Sequence, residues 1–415
     1  MLGLPNLPKK LPSRNWMIFW TLTTTITGAI IYDRREKKRT IARWAHSVEH
    51  LAKAPLPGND CLAQPRKLTI YLSSPPGDGL RVAQDHYTEY VKPILAASGL
   101  DWEFVQGRRE GDVRAVVAER VRKVRHDWEG DNSDPDREPT KDEMVEIYRR
   151  GRGIPEYTGV RGDVVIGRHT WKEYIRGLHE GWLGPLTPPP VPEPEPLPKA
   201  DSETPAEDKP AEEEAKPKRP PQPKPYNTVN DYPSESLPVL TPSEFHPAAP
   251  VREPHILGFL NTPTRMVRFF NRRALADDIG RQVAAVCLAT YREFEHAPNP
   301  ESELGEMQWE QERELAWEEK DWQKSVWKDE KPKEGEVSEI PERIRKYPIV
   351  MDPRIANRMR RFELLPEDEA RAREIVVPEE EVEGWTKGNL RQLYRWGKSK
   401  LITQKKGPLV DIDDE

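Results

Sequence analysis

One uncharged stretch constrains this chain more than anything else in it. It runs from Trp16 to Tyr32, WMIFWTLTTTITGAIIY, and nothing later resembles it. At about 1.5 Å per residue a helix of this length reaches roughly 26 Å, the thickness of a thin bilayer core. Lys9, Lys10 and Arg14 precede it, and Arg34, Arg35, Lys37, Lys38 and Arg39 follow. Trp16 and Trp20 near one end and Tyr32 at the other suit the membrane–water interface. No small-residue cleavage site follows, only DRREKKR, as expected of an uncleaved segment. The prolines of MLGLPNLPKKLPSRN do not fit an amphipathic presequence. The expectation is one transmembrane helix over 16–32 behind a short N-terminal segment, 1–15. Thr21, Thr23, Thr24, Thr25, Thr27 and Gly28 make it weakly hydrophobic. Their hydroxyls can bond back along the helix or across to a partner helix, and small residues allow close approach.

The rest is polar and cannot all be globular. The 415 residues include 43 prolines, and 33% are charged. A net charge of -6 gives no case for nucleic-acid binding, which shows a basic face. Cys61 and Cys287 are too few for a metal cluster or a disulfide framework, and Cys287 lies in an apolar run, VAAVCLATY.

Ile41, Trp44, Val48 and Leu51 mark an amphipathic helix over about 40–52, within a juxtamembrane segment 33–55. Residues 65–184 then read as an α/β domain with a parallel sheet. Its strands are KLTIYL, WEFVQ and DVVIG. Between them come the helix face Tyr87, Tyr90, Val91, Ile94, Leu95, with Gly99 at its end, and the face Val113, Val116, Val117, Val121, Val124, capped by Asp112. An acidic insertion covers about 127–139, Thr140 and Glu143 form a capping box, and a last helix runs from Thr170 to about Leu178.

Residues 185–254 hold 21 prolines in 70 positions. With so few apolar side chains this stretch reads as a disordered spacer. Over 255–400 the pattern resumes. HILGFLNTP reads as a strand and turn, Met266, Phe269 and Phe270 head for the core, and Leu275, Ile279, Val283, Val286 and Leu288 trace a helix face. Residues 301–330, with 11 acidic and 4 basic residues, read as an acidic helix docked by some of Trp309, Trp317, Trp322 and Trp327. The tail, 401–415, reads as frayed.

No catalytic signature appears. There is no G-x-S-x-G, H-E-x-x-H or Walker A motif, and the nine histidines are scattered along the chain. The loop Ser73 to Gly79 follows a strand and precedes a helix, where phosphate can bind, but its prolines remove amide donors. Arg265, Arg268 and Arg272 fall three and four apart, a candidate basic stripe for anionic lipid or an acidic partner. The plainer reading pairs them with acids such as Glu310 or Glu314.

The anchor ending in YDRREKKR, KLTIYLSSPPGDGL, GDVVIGRHTWKEYIRGLHEGW and HILGFLNTPTRMVRFFNRRALADDIGRQVAA together resemble the fungal Tim-fifty-four family over about 11–185 and 226–395. That resemblance implies a non-enzymatic scaffold, without cofactor, in the mitochondrial inner-membrane translocase that inserts carrier proteins. It implies a body in the intermembrane space. It also implies as partners a channel subunit, small chaperone subunits, carrier precursors and inner-membrane lipid. Charge alone points the other way, with five basic residues after the span against three before.

The strand–glycine loop–helix order also resembles the N-terminal domain of diacylglycerol-type lipid kinases. There the third strand leads into GGDGT. Here that stretch is Ile166-Gly167-Arg168-His169-Thr170, without the aspartate, and GFLNTPTR (258–265) lacks the aspartate of their later G-T-x-N-D stretch. Holding a magnesium–phosphate needs carboxylates. This implies a degenerate kinase-like scaffold, with a membrane-anchored lipid or nucleotide enzyme as the alternative.

Overall fold

Leu68, Ile70 and Leu72 alternate with Thr69 and Tyr71 along one strand, and all five are buried. A strand covered on both faces belongs in the middle of a parallel sheet. The structure, a computed structural model, describes residues 13–55, 64–129, 141–154, 157, 159–188, 222–298, 306–328, 342–383 and 385–405. Its strands are β1 (Lys67–Ser73), β2 (Asp101–Gly107), β3 (Gly162–Ile166), β4 (Ala248–Val251), β5 (Tyr291–Glu293), β6 (His296–Pro298), β7 (Met307–Trp309) and β8 (Arg360–Phe362). One sheet has the order β2-β1-β3-β4-β8-β5, while β6 and β7 form a separate antiparallel pair. In the main sheet only β5, against β8, is antiparallel. The expected α/β parallel sheet is present.

The helices in chain order are α1 (Arg14–Ala52), α2 (Leu80–His86), α3 (Lys92–Ser98), α4 (Asp112–Glu129), α5 (Lys141–Gly151), α6 (Arg168–Leu183), α7 (Thr262–Phe269) and α8 (Arg272–Leu288). A wide π turn, Tyr87–Val91, joins α2 to α3. It ends two residues before Pro93, which has no N–H to close a regular turn. The last helices are α9 (Glu310–Arg313), α10 (Pro353–Ala356), α11 (Pro366–Glu374), α12 (Glu379–Val382) and α13 (Trp385–Lys405). On one face of the sheet Leu68, Ile70, Leu72, Val164, Ile166 and Val251 pack with α1, α3 and α8. On the other, Tyr71, Val165 and Ala248 pack with α4, α6 and α10.

Several expectations need correction. The span and the juxtamembrane helix are one continuous helix of 39 residues. Ile41, Trp44 and Val48 are buried, as expected, but residues 16–29 lie entirely exposed. No helix among the described residues is long and apolar enough to cross a membrane. The expected single-span helix is therefore not supported. The uncharged part has only 17 residues, and its five threonines dilute its hydropathy.

The stretch expected to lack structure over 185–254 contains β4, which pairs with β3 and β8. Ala248, Ala249 and Val251 carry it, with Pro250 inside the strand and Pro247 just before it. HILGFLNTP is not a strand: it runs irregularly into a turn. The acidic tryptophan segment is not one helix but β7, α9 and two 3-10 turns, Ala316–Asp321 and Lys324–Trp327. Its acids face inward onto arginines, and Trp322 is buried. Val116 and Val124 are exposed on α4 while Val113, Val117 and Val121 are buried. The Asp112 carboxylate accepts from the amides of Arg108 and Arg109, both at 2.9 Å, so it ties down the preceding loop. Residues 130–140 and 189–221, with most of the acidic insertion, the Thr140 cap and the centre of the proline-rich stretch, lie outside the described residues.

Candidate functional site

In an open parallel sheet, ligands gather beyond the carboxyl ends of the strands where the strand order reverses. Here that point lies between β1 and β3. The two loops singled out by sequence, 73–79 and 166–170, meet there. Gly77 has φ +85 and Gly167 φ +87, so both turns use the left-handed region that glycine tolerates.

The place where a phosphate would rest is taken by the chain itself. Helix α6 begins at Arg168, and its first amide donates to Glu318 Oε2 at 3.0 Å. The amide of Glu253, just after β4, donates to Glu318 Oε1 at 2.9 Å. A carboxylate thus occupies the helix N-terminus, where an anion is favoured. Arg168 Nε reaches Glu319 at 2.9 Å, and Lys172 Nζ pairs with the same carboxylate at 2.7 Å. From the other side Arg345 donates to Ser73 Oγ at 2.9 Å and to Glu173 Oε1 at 3.1 Å. The other Glu173 oxygen accepts the Val113 amide at the start of α4. A β-carbon on Gly77 would meet the side chain of Gln323, and one on Gly167 would meet Glu253 and His169. Residues 310–328 and 342–347 fill the crevice.

The titratable groups here are held in quiet states. Burial pushes Glu318 up to about 7 against the two amides that favour its charge. Burial, and then the Glu318 charge, raise Glu253 well above the carboxylate range. Burial lowers His169 to about 3. Its neutral ring donates from Nε2 to the Ser73 carbonyl at 3.0 Å. Among the described residues, no group of three or more His, Cys, Asp or Glu is placed to hold a metal ion. A cavity of about 360 Å³ opens at the other end of the sheet, lined by Tyr71, Val121, Trp128, Asp163, Tyr174 and Phe245 among others. Some of its polar groups pair with one another, as where Tyr174 donates to Asp163 at 2.8 Å and Arg120 to Tyr71 at 3.1 Å.

The sequence-singled arginines do not form one stripe. Arg265 and Arg268 lie on α7, but Arg272 opens α8 beyond a break at 270–271. Arg268 pairs with Asp321 at 3.0 Å, Arg272 stacks on Phe269, and Arg265 is exposed. Glu310 and Glu314 pair with Arg361 instead. Phe269 is partly exposed rather than headed for the core. The stretch 258–265 leaves the crevice after His255, whose Nε2 donates to the Pro76 carbonyl at 3.1 Å. Sequence reading missed Glu318, Glu173 and Arg345. The only signal was the acid excess of 301–330, which marks a charged segment without saying where it folds.

The crevice is filled by the chain's own side chains, and sequence comparison gives the family. A model of the family described as inner membrane protein import complex subunit Tim54 matches residues 1–362. The chain belongs to the Tim54 family. A Tim54 relative in Neurospora crassa is 67% identical, covering 100% of this chain and 90% of its own length. One in Aspergillus oryzae is 41% identical over 99% of both chains. One in Schizosaccharomyces pombe is 31% identical over 78% of this chain and 88% of its own. All three are named mitochondrial import inner membrane translocase subunits. Tim54 membership makes the mitochondrial inner membrane and protein transport the setting in which the filled crevice is to be understood.

Proposed function

We propose that this chain is a non-enzymatic scaffold subunit of the inner-membrane translocase that inserts multi-spanning carrier proteins, with its body in the intermembrane space. The observation that carries the non-enzymatic reading is the Glu318 carboxylate on the N-terminus of α6. A nucleotide phosphate there would have to displace a buried carboxylate that accepts two amides, and would then lie beside Glu253. The parts that would hold a magnesium–phosphate in a kinase-like fold are thus turned inward, and the outer surface is left for partners: the channel subunit, the small chaperone subunits and the carrier precursors.

The exposed run Trp16–Tyr32 supports attachment to the bilayer. Thr21, Thr23, Thr24 and Thr25 each donate their hydroxyl to a carbonyl one turn back, at 2.7–2.9 Å. Their polarity is largely satisfied within the helix. As the run is short of a free-standing span, it enters the membrane against a helix of a partner subunit.

Calorimetry of the purified chain with ATP and magnesium tests the scaffold reading. No heat of binding is expected, and saturable binding would favour the enzyme alternative. Purification in mild detergent should bring down the channel and small chaperone subunits. Protease added to mitoplasts with a sealed inner membrane should digest the body, and full protection would reverse the orientation.

A further inference from the structure

Two uncovered apolar surfaces flank the place where the exposed run of α1 meets the body. On the turn before α7, Phe259 and Leu260 are 89% and 86% exposed, and on α7 itself Met266 and Val267 are 57% and 68% exposed. Arg268 holds α7 down from one side, pairing with Asp321 at 3.0 Å and lying over Trp317. At about 100° per residue, Pro263, Met266 and Val267 point away from Arg268. The side of α7 turned from the body is therefore apolar, the reverse of a solvated surface helix. On α13, Leu390, Leu393 and Tyr394 recur at helical spacing and are 67%, 63% and 71% exposed. That helix carries no acid; Arg391 pairs with Glu383 at 2.9 Å and Arg395 with Glu380, while Lys398 is exposed.

Both surfaces are tied to the same few residues of α1. Asp33 accepts from the amides of Arg272 and Arg273 at 3.2 and 3.4 Å, and Arg273 lies over the Tyr32 ring. Two residues on, Arg35 pairs with Glu379 at 3.1 Å, and Glu379 is 3.6 Å from Arg391 of α13. The end of the uncharged run is thus bordered by α7 on one side and by α13, through α12, on the other.

We propose that the Phe259–Leu260 turn, α7 and α13 lie in the headgroup layer of an anionic bilayer, with their apolar faces inserted and the exposed Arg265 and Lys398 at the phosphates. Exposed apolar faces edged by arginine and lysine fit such a surface. Continuity with the uncharged run of α1 selects the bilayer over a protein partner. Three attachments around one point fix the tilt of the body, which a single helix leaves free. The inference takes from the proposed function only which end of the molecule meets the membrane.

The test uses the full chain in vesicles of phosphatidylcholine with phosphatidylglycerol, in a Cys61→Ser, Cys287→Ala background. Single cysteines replace Val267, Leu393, Ile26 or Val239 and carry an environment-sensitive fluorophore. Labels at 267 and 393 should shift to the blue and be quenched by nitroxide on the acyl chains. Both effects should weaken in pure phosphatidylcholine. The label at 239, exposed near the core of the other sheet face, should report water. If 26 is inserted while 267 and 393 report water, this inference fails and the anchor stands. If 267 and 393 are inserted while 26 reports water, the anchor fails and this inference stands. Protection of 267 and 393 only after partner subunits are added would assign the surface to protein and overturn the lipid proposal.

Discussion

At the scale of single residues, this body is organised by buried carboxylates that engage the start of a helix or an arginine. Glu318 gives a pH signature. Its folded pKa of about 7 lies above the ordinary 4.5, so the folded state holds a proton that the unfolded chain releases. Its contribution is complete below the unfolded value and is lost as pH rises through about 7. Glu253 is raised in the same direction, so Glu318→Gln should make this part of the pH profile shallower without flattening it. Urea unfolding at a series of pH values reads the slope, and an unchanged slope would contradict the assignment. Glu180 shows the opposite arrangement. It is buried between Arg114 and Arg122, with Arg114 itself fully buried. Removing one partner of such a pair costs about 3–5 kcal/mol. Arg114→Met should fall near the low end, because Arg122 remains. A change no larger than that of a surface substitution, about 0.5 kcal/mol, would show that Arg122 alone suffices.

At the scale of elements, close approach matters more than propensity. Gly177 and Gly181 on α6 lie one turn apart against Val117 and Val121 of α4. A β-carbon on Gly181 would come within 2.5 Å of the Val121 β-carbon. Alanine is the better helix former by about 1 kcal/mol, but overpacking costs about 1–3 kcal/mol, and here both neighbours are fixed close to their backbones. Gly181→Ala should therefore lower stability by about 1–2 kcal/mol in chemical denaturation. Adding Val121→Ala should recover part of that loss, so the pair should be non-additive. A stabilised Gly181→Ala would mean that α4 can move away at no cost.

At the scale of the molecule, the two halves of the chain build one sheet across the proline-rich stretch. The chain leaves at Gly184 and is back at Asn227, whose side chain lies 3.3 Å from where a Gly184 β-carbon would stand. Such an excursion closes on itself, and loop closure depends only logarithmically on length, about 0.6 kcal/mol per doubling. Deleting residues 192–219 and joining the ends with a short Gly/Ser linker should leave the melting temperature nearly unchanged. Extending the deletion through Tyr226 should cost several times more. It removes the Pro223 carbonyl that accepts from Arg114 and the Tyr226 amide that donates to Glu180 at 3.1 Å. Equal effects of the two deletions would show that the return segment contributes nothing to the core.

Period-two and helical patterns were enough to place β1, β2, β3, α4, α6 and α8. Each of these carries a local run of β-branched, aromatic or helically spaced apolar residues, which can be read without knowing the partner, although the edge strand β2 leaves its side chains partly exposed. The same reading failed wherever the partner decided the outcome. AAPV became a central strand because β3 and β8 offer it hydrogen bonds, though its prolines argue for a loop. Residues 301–330 look like one charged helix, but over 306–328 Arg168 on α6 and the half-buried Arg361 on β8 draw Glu310, Glu314 and Glu319 inward, two backbone amides hold Glu318, and the chain runs in short turns. Composition by itself set apart the uncharged N-terminal run, and the resemblance to lipid kinases pointed to the missing carboxylate after β3. Only the tertiary structure decided that another carboxylate, about 150 residues later, would close the vacant end of α6, because a charge is buried where distant backbone amides converge on it.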